Sequence, residues 1–116
     1  MHFAIIARDA KDAEALQRRL ASREAHLTNV KARYQQGHIV TAGAMLNEKD
    51  EMNGSIIFCN FADKAAVEAF IANDPYYKNK VWQDIEILPI RLLGKEQLES
   101  VWPFLAFAID KVFLVN

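Results

Sequence analysis

The sequence predicts an α+β domain in which one antiparallel four-stranded sheet carries two helices on a single face. Short apolar runs rich in β-branched residues alternate with segments whose apolar residues recur at helical spacing, giving the order β-α-β-β-α-β. A polar stretch with turn chemistry joins the two middle strands, as a hairpin requires. The 116 residues, 52% hydrophobic and 25% charged, suffice for one core and are too apolar for a disordered chain.

Phe3 to Ala7 is an uninterrupted apolar run closed by Arg8 and Asp9, and reads as a buried first strand. From Asp12 the spacing of Ala13, Leu16 and Leu20 is helical, and this first helical piece is expected to end near Ala21. Ser22 then reads as the N-cap of a longer crossover helix, in which Leu27, Val30 and Tyr34 continue an apolar stripe up to Gly37. His38 to Leu46 is the second strand, Asn47 to Gly54 the turn and Ser55 to Phe61 the third strand. After Ala62 and Asp63, residues Ala66, Val67, Phe70 and Ile71 supply the buried stripe of a helix that stops near Asn73. A short segment with Tyr76, Tyr77 and Val81 leads into a fourth strand, Ile85 to Leu93. Pro89 cannot donate a ladder hydrogen bond and marks that strand as an edge or a bulge.

This order is the ferredoxin-like arrangement. Helices cover one face of such a sheet, and the other face, also apolar here, needs a cover of its own. A second copy of the chain is the economical one, because large exposed apolar patches are rare on monomers, so a homodimer is expected. Residues 1–94 form the expected domain and 95–116 a C-terminal extension, polar from Lys95 to Ser100 and strongly apolar from Val101 to Val115. Burial on the domain or at an oligomer contact is expected for it. Its longest apolar run, Val101 to Ile109, is about half of the roughly 20 residues that span a bilayer, so no membrane helix is expected.

A formal net charge of -1 with scattered Lys and Arg gives no footprint for nucleic acid or acidic lipid. Cys59 is the single cysteine and has no internal disulfide partner; with no secretory leader visible, a cytoplasmic location is expected.

Arg23 and His26 stand at i and i+3 near the start of the long helix, on one face. An imidazole can exchange a proton near neutral pH, and a guanidinium can hold an anionic group, which together suit proton abstraction. The plainer reading makes His26 a half-buried residue at the edge of the Leu27/Val30 stripe, and spacing alone does not displace it. Asp74 is a possible partner for the imidazole, but Asp74-Pro75 is also an ordinary helix start, with Asp as N-cap and Pro at the first position. The roles are compatible if one oxygen caps while the other faces a ligand. Tyr76 and Tyr77 read as packing or as pocket lining, and Gly43 as a close approach or a bulge. Ser55 lacks the context of an activated nucleophile, and Cys59 reads as a small core residue. His2, His26, His38 and Cys59 lack zinc spacing, and no phosphate-binding glycine loop occurs, so neither metal nor cofactor is expected.

Three segments, Arg23-Glu24-Ala25-His26-Leu27, Thr41-Ala42-Gly43 and Asp74-Pro75-Tyr76, taken in this order, resemble the signature of the YciI-like (YCII-related) family. The resemblance covers about residues 3 to 93. It implies a dimeric α/β-barrel assembly of ferredoxin-like domains, with a His-Asp catalytic dyad in a pocket. By position these are His26 and Asp74, with Arg23, Gly43 and Tyr76 as substrate-binding neighbours. Some members of the family are dehydrochlorinases or lactone-processing enzymes in which a His base removes a carbon-bound proton. The expected activity is therefore a cofactor-free lyase or isomerase acting on a small metabolite, and the rival is a dimeric module that binds such a metabolite without turnover. The short hairpin connection Asn47 to Gly54 and the apolar extension depart from the family pattern.

Overall fold

The computed structural model describes residues 1–100. Four strands, β1 (His2–Asp9), β2 (Ile39–Leu46), β3 (Met52–Asn60) and β4 (Trp82–Ile90), form one antiparallel sheet in the order β2-β3-β1-β4. Helix α1 (Ala15–Gln35) follows β1, and α2 (Lys64–Asn73) with the short α3 (Pro75–Lys78) follows β3. This is the expected ferredoxin-like topology.

Register decides which side chains are inside. Phe3 stands opposite Cys59 and Pro89, Ile5 opposite Ile57 and Ile87, and Ala7 opposite Ser55 and Ile85. Side chains alternate along a strand, so these three rows share one face. There they join Val67, Phe70 and Ile71 of α2, with Tyr76 and Val81, in the hydrophobic core. On the opposite face Ala4 sits between Phe58 and Leu88, next to a row of Ile6, Ile56 and Glu86. Ile6, Ile56 and Phe58 are only half-buried there and Leu88 is exposed.

Helix α1 corrects the sequence reading. It is one helix rather than two, and Ser22 lies buried in its middle instead of capping a new one. Its inward residues are Ala15, Arg19, Ser22 and His26, whereas Leu20, Leu27 and Tyr34 of the expected apolar stripe are exposed. The reason is that the sheet side of α1 is held by polar partners. Arg19 pairs with Asp9 at 2.8 Å, the Ser22 hydroxyl accepts from Asn79 Nδ2 at 2.9 Å, and His26 meets Asp74. The helix ends as expected at Gly37, whose φ of +82° lies in the left-handed region that a glycine adopts without strain.

Other boundaries shift by a few residues. β3 begins at Met52 rather than Ser55, because Asn47 closes a tighter loop: its Oδ1 accepts from the N–H groups of Lys49 (2.8 Å) and Glu51 (3.1 Å). β4 begins at Trp82 rather than Ile85, since the polar Asp84 still pairs with Arg8 and Trp82 with Asp9, with a shift of register between the two pairs. Pro89 does lie on an edge strand, paired with β1 alone. Asp63 caps α2 by accepting from Ala66 N–H at 2.9 Å. Residues 95–100 are helical, and the expectation for the apolar segment from Val101 onward lies outside the described residues. Among the described residues, no helix is long and apolar enough to cross a membrane.

Candidate functional site

Pro75 has no N–H, and its ring does not fit inside α2, so the chain turns at Asp74, which takes extended backbone angles (φ -77°, ψ 138°). Asp74 ends α2 and caps α3, its Oδ1 accepting from Tyr76 N–H at 2.8 Å. That break lies against α1, and His26 Nδ1 reaches the same Oδ1, also at 2.8 Å. Asn29, one turn further along α1, donates from Nδ2 to Asp74 Oδ2 at 2.9 Å. The division of labour expected for the carboxylate is thus corrected. One oxygen serves both cap and imidazole, the other is held by Asn29, and Asp74 is 0% exposed, so neither faces a ligand.

An ionised carboxylate only accepts, so the imidazole proton on this side sits on Nδ1 and the lone pair of the neutral ring is left on Nε2. Among the described residues nothing bonds Nε2. The ring itself is fixed: it stacks on Tyr76 at 3.8 Å between centroids and 12° between planes, with Trp82 edge-on at 5.7 Å. Burial pushes the Tyr76 phenol above its ordinary range.

His26 opens onto a cavity of about 190 Å³ between α1 and the β2–β3 half of the sheet. Its wall includes Arg19, Arg23, His26, Gly43, Ser55 and Tyr76. The structure therefore brings Arg23, His26, Gly43 and Tyr76 to one cavity, with Asp74 directly behind His26. Among the described residues Arg23 makes no ion pair. Gly43 is not a bulge, because β2 loses register with β3 only between Ile39 and Thr41 and between Met45 and Leu46.

Sequence reasoning missed the floor of this cavity. Arg19 donates from one terminal nitrogen to both oxygens of Asp9 (2.8 and 3.1 Å) and from the other to Ser55 Oγ (3.0 Å), and its guanidinium carbon lies 4.6 Å from the centre of the Tyr76 ring. Trp82 Nε1 donates to the same Ser55 Oγ at 3.1 Å. Burial pushes the Asp9 carboxyl up, against the pull of Arg19. The signal that could have found these residues is a polar stripe, Arg19, Ser22, His26 and Asn29, at three- and four-residue intervals on one side of α1. Among the described residues no cluster of three or more His, Cys, Asp or Glu is placed to hold a metal ion.

A family model described as the YCII-related domain matches residues 1–91. The chain belongs to the YCII-related domain family. An uncharacterized protein of Haemophilus influenzae is 30% identical to this YCII-related chain over 97 residues, which span 78% of this chain and 97% of that one. Protein YciI of Escherichia coli is 29% identical over 97 residues, with the same shares. Among solved structures, the 5-chloro-2-hydroxyhydroquinone dehydrochlorinase of Burkholderia phenoliruptrix, in complex with 2,5-dihydroxybenzoquinone, is similar at a TM-score of 0.68. At 24% identity, over 84% of this chain and 99% of that one, the likeness is one of fold.

Proposed function

We propose that this YCII-related domain is a small cofactor-free lyase or isomerase in which His26 is the general base. In this reading Nε2 of His26 removes a proton from a carbon next to a carbonyl. The electron pair left behind either forms an enolate that is reprotonated elsewhere or expels a leaving group such as chloride from the neighbouring carbon. Asp74 fixes the ring tautomer and stabilises the imidazolium that forms, and Arg23 holds an anionic group of the substrate. Gly43 and Tyr76 shape the wall.

The observation that carries the proposal is the pairing of His26 Nδ1 with Asp74 Oδ1 at 2.8 Å, with Nε2 bonded to none of the described residues and the ring at a cavity wall. A cavity of about 190 Å³ is smaller than the roughly 300–1,000 Å³ that holds a drug-sized ligand, which suits a small metabolite. The structurally similar dehydrochlorinase is named for a chlorinated hydroxyquinol and was solved with a dihydroxyquinone, so compounds of that class and small lactones are the first substrates to try. The test is a screen of such compounds against the unaltered protein and His26→Ala. Turnover that survives the substitution at full rate would remove His26 from the chemistry, whereas saturable binding without turnover in the unaltered protein would favour a metabolite-binding module.

The same proposal includes a cytoplasmic homodimer formed over the open sheet face of Ile6, Ile56, Phe58 and Leu88. It divides the chain into a domain of residues 1–94 and an extension of 95–116 at an oligomer contact. Deletion after Gly94 tests the extension, and an unaltered assembly in a sizing measurement would refute that role.

A further inference from the structure

We infer that Ser55 and Arg19 form an oxyanion-binding floor in the cavity, so that the ligand presents a negatively charged oxygen to the Ser55 hydroxyl. The inference deepens the proposed His26 chemistry and rests on it, since a base that removes a carbon-bound proton leaves charge on the adjacent carbonyl oxygen.

The argument is a count of donors and acceptors. A serine hydroxyl has one hydrogen and two lone pairs. Both lone pairs of Ser55 Oγ are taken by groups that can only donate, Arg19 at 3.0 Å and Trp82 Nε1 at 3.1 Å. The hydroxyl hydrogen is therefore turned away from both, and among the described residues no acceptor receives it. Ser55 is 3% exposed and lines the cavity, so the open direction for that hydrogen is the cavity itself.

A second, independent observation points the same way. Arg19 is 2% exposed, and its Nε is the one buried side-chain polar atom among the described residues without a hydrogen-bond partner. Buried donors are rarely left unpaired without a reason. The charge on the wall agrees: Arg19 and Arg23 line the cavity, while Asp9 and Asp74 stand behind it and line none of it. Donors fixed in place and backed by a guanidinium stabilise an oxyanion with little reorganisation when charge appears. Trp82 and Arg19 fix the Ser55 oxygen, and the lone pairs they occupy leave the hydroxyl no choice but to donate.

The probe is 2,5-dihydroxybenzoquinone, followed by its own visible absorbance in equilibrium dialysis, with hydroquinone, uncharged at neutral pH, as the comparison. The full chain is expected to bind the quinone anion in preference to hydroquinone. Ser55→Ala is expected to weaken binding by about 10-fold or more, the size of a hydrogen bond to a charged group, while Ser55→Thr, which keeps a hydroxyl, retains most of it. The base is tested separately, through loss of turnover of a screened substrate in His26→Ala, and that result does not enter the binding comparison. Equal binding by Ser55→Ala and the unaltered protein would overturn the assignment, as would equal binding of quinone and hydroquinone. If Ser55→Ala does not fold, Trp82→Phe removes one of the two donors that orient Ser55 and must weaken the quinone complex; unchanged affinity would overturn the inference equally.

Discussion

Nδ1 of His26 lies 2.8 Å from Oδ1 of Asp74, across 48 residues of chain. The contact exists because a proline break ends α2 where α1 passes over it, so an element boundary and a helix face have to coincide. The carboxylate is committed three ways: it caps α3, orients the imidazole and is itself held by Asn29.

The first prediction concerns that carboxylate. Asp74→Asn keeps a side chain able to cap but removes the charge that stabilises the imidazolium. Turnover of any substrate found by screening is expected to fall by about 10²–10⁴-fold, the usual contribution of general acid–base catalysis. Asn29→Ala leaves Asp74 Oδ2 without its donor and is expected to give a smaller loss, chiefly in kcat, with a shifted pH–rate profile. Full activity in Asp74→Asn, measured on protein shown to be folded, would dismiss the dyad.

The Asp9–Arg19 pair is almost wholly buried, with side chains 4% and 3% exposed. Taking away one member strands the other charge in the core, which costs about 3–5 kcal/mol in comparable pairs. Asp9→Ala should lower stability by that amount in urea denaturation. The Asp9→Ala/Arg19→Met double variant should recover a large part of it, because no buried charge is left alone; a double variant less stable than Asp9→Ala would contradict this account.

These polar pairs also explain what the sequence could and could not disclose. The order of the elements along the chain, helix α2 and the Asp74-Pro75 cap were legible because they depend on local rules: apolar runs, turn residues and a proline at a first helical position. The orientation of α1 was not. An apolar stripe through Leu20, Leu27 and Tyr34 is the expected inner face by helical periodicity, yet Arg19, Ser22 and His26 face inward. Their partners come from two other segments, Asp9 at the end of β1 and Asp74 and Asn79 at the two ends of α3, and the α3 partners lie 48 and 57 residues away, beyond any local window of sequence. His26 and Asp74 were accessible as candidates through a recognised set of motifs, whereas Asn29 and Ser55 acquire meaning only when the chain is folded.

Two glycines on neighbouring strands should respond differently to the same change. A Cβ on Gly54 would stand 2.8 Å from the backbone oxygen of Ala7 and would collide with Met45, while a Cβ on Gly43 meets nothing within 4 Å. Gly54→Ala is expected to destabilise by about 1–3 kcal/mol, the range for forcing extra volume into a packed region. Gly43→Ala should leave thermal stability nearly unchanged. The reverse order of melting temperatures would show that the β1–β3 approach is looser than the structure has it.

Cys59 is 0% exposed, its Sγ–H contacts Phe3 O at 3.5 Å, and burial pushes the thiol up to about 11. The thiolate is the reactive form, and at pH 8, well below that value, the folded protein holds almost none of it. Alkylation by iodoacetamide at pH 8 should therefore be slow in the native protein and fast in urea. Rapid native alkylation would show that β3 opens or that the thiol is less enclosed.

The last prediction follows from the sheet face that no helix among the described residues covers. Ala4 lies between Phe58 and Leu88, and Ile6 and Ile56 continue the apolar surface beside them. With Leu88 exposed and Ile6, Ile56 and Phe58 only half-buried, this face forms a patch of the kind that monomers avoid, and a second copy of the same face is self-complementary across a two-fold axis. The mass in solution by light scattering is expected at twice 13.2 kDa. Phe58→Glu would bring two carboxylates into that contact, and burying unpaired charge there is costly. Phe58 lies on the face opposite Cys59 and the core row, so the variant should keep its secondary structure and fall to the monomer mass. A variant that remains dimeric and folded would place the subunit contact on some other surface.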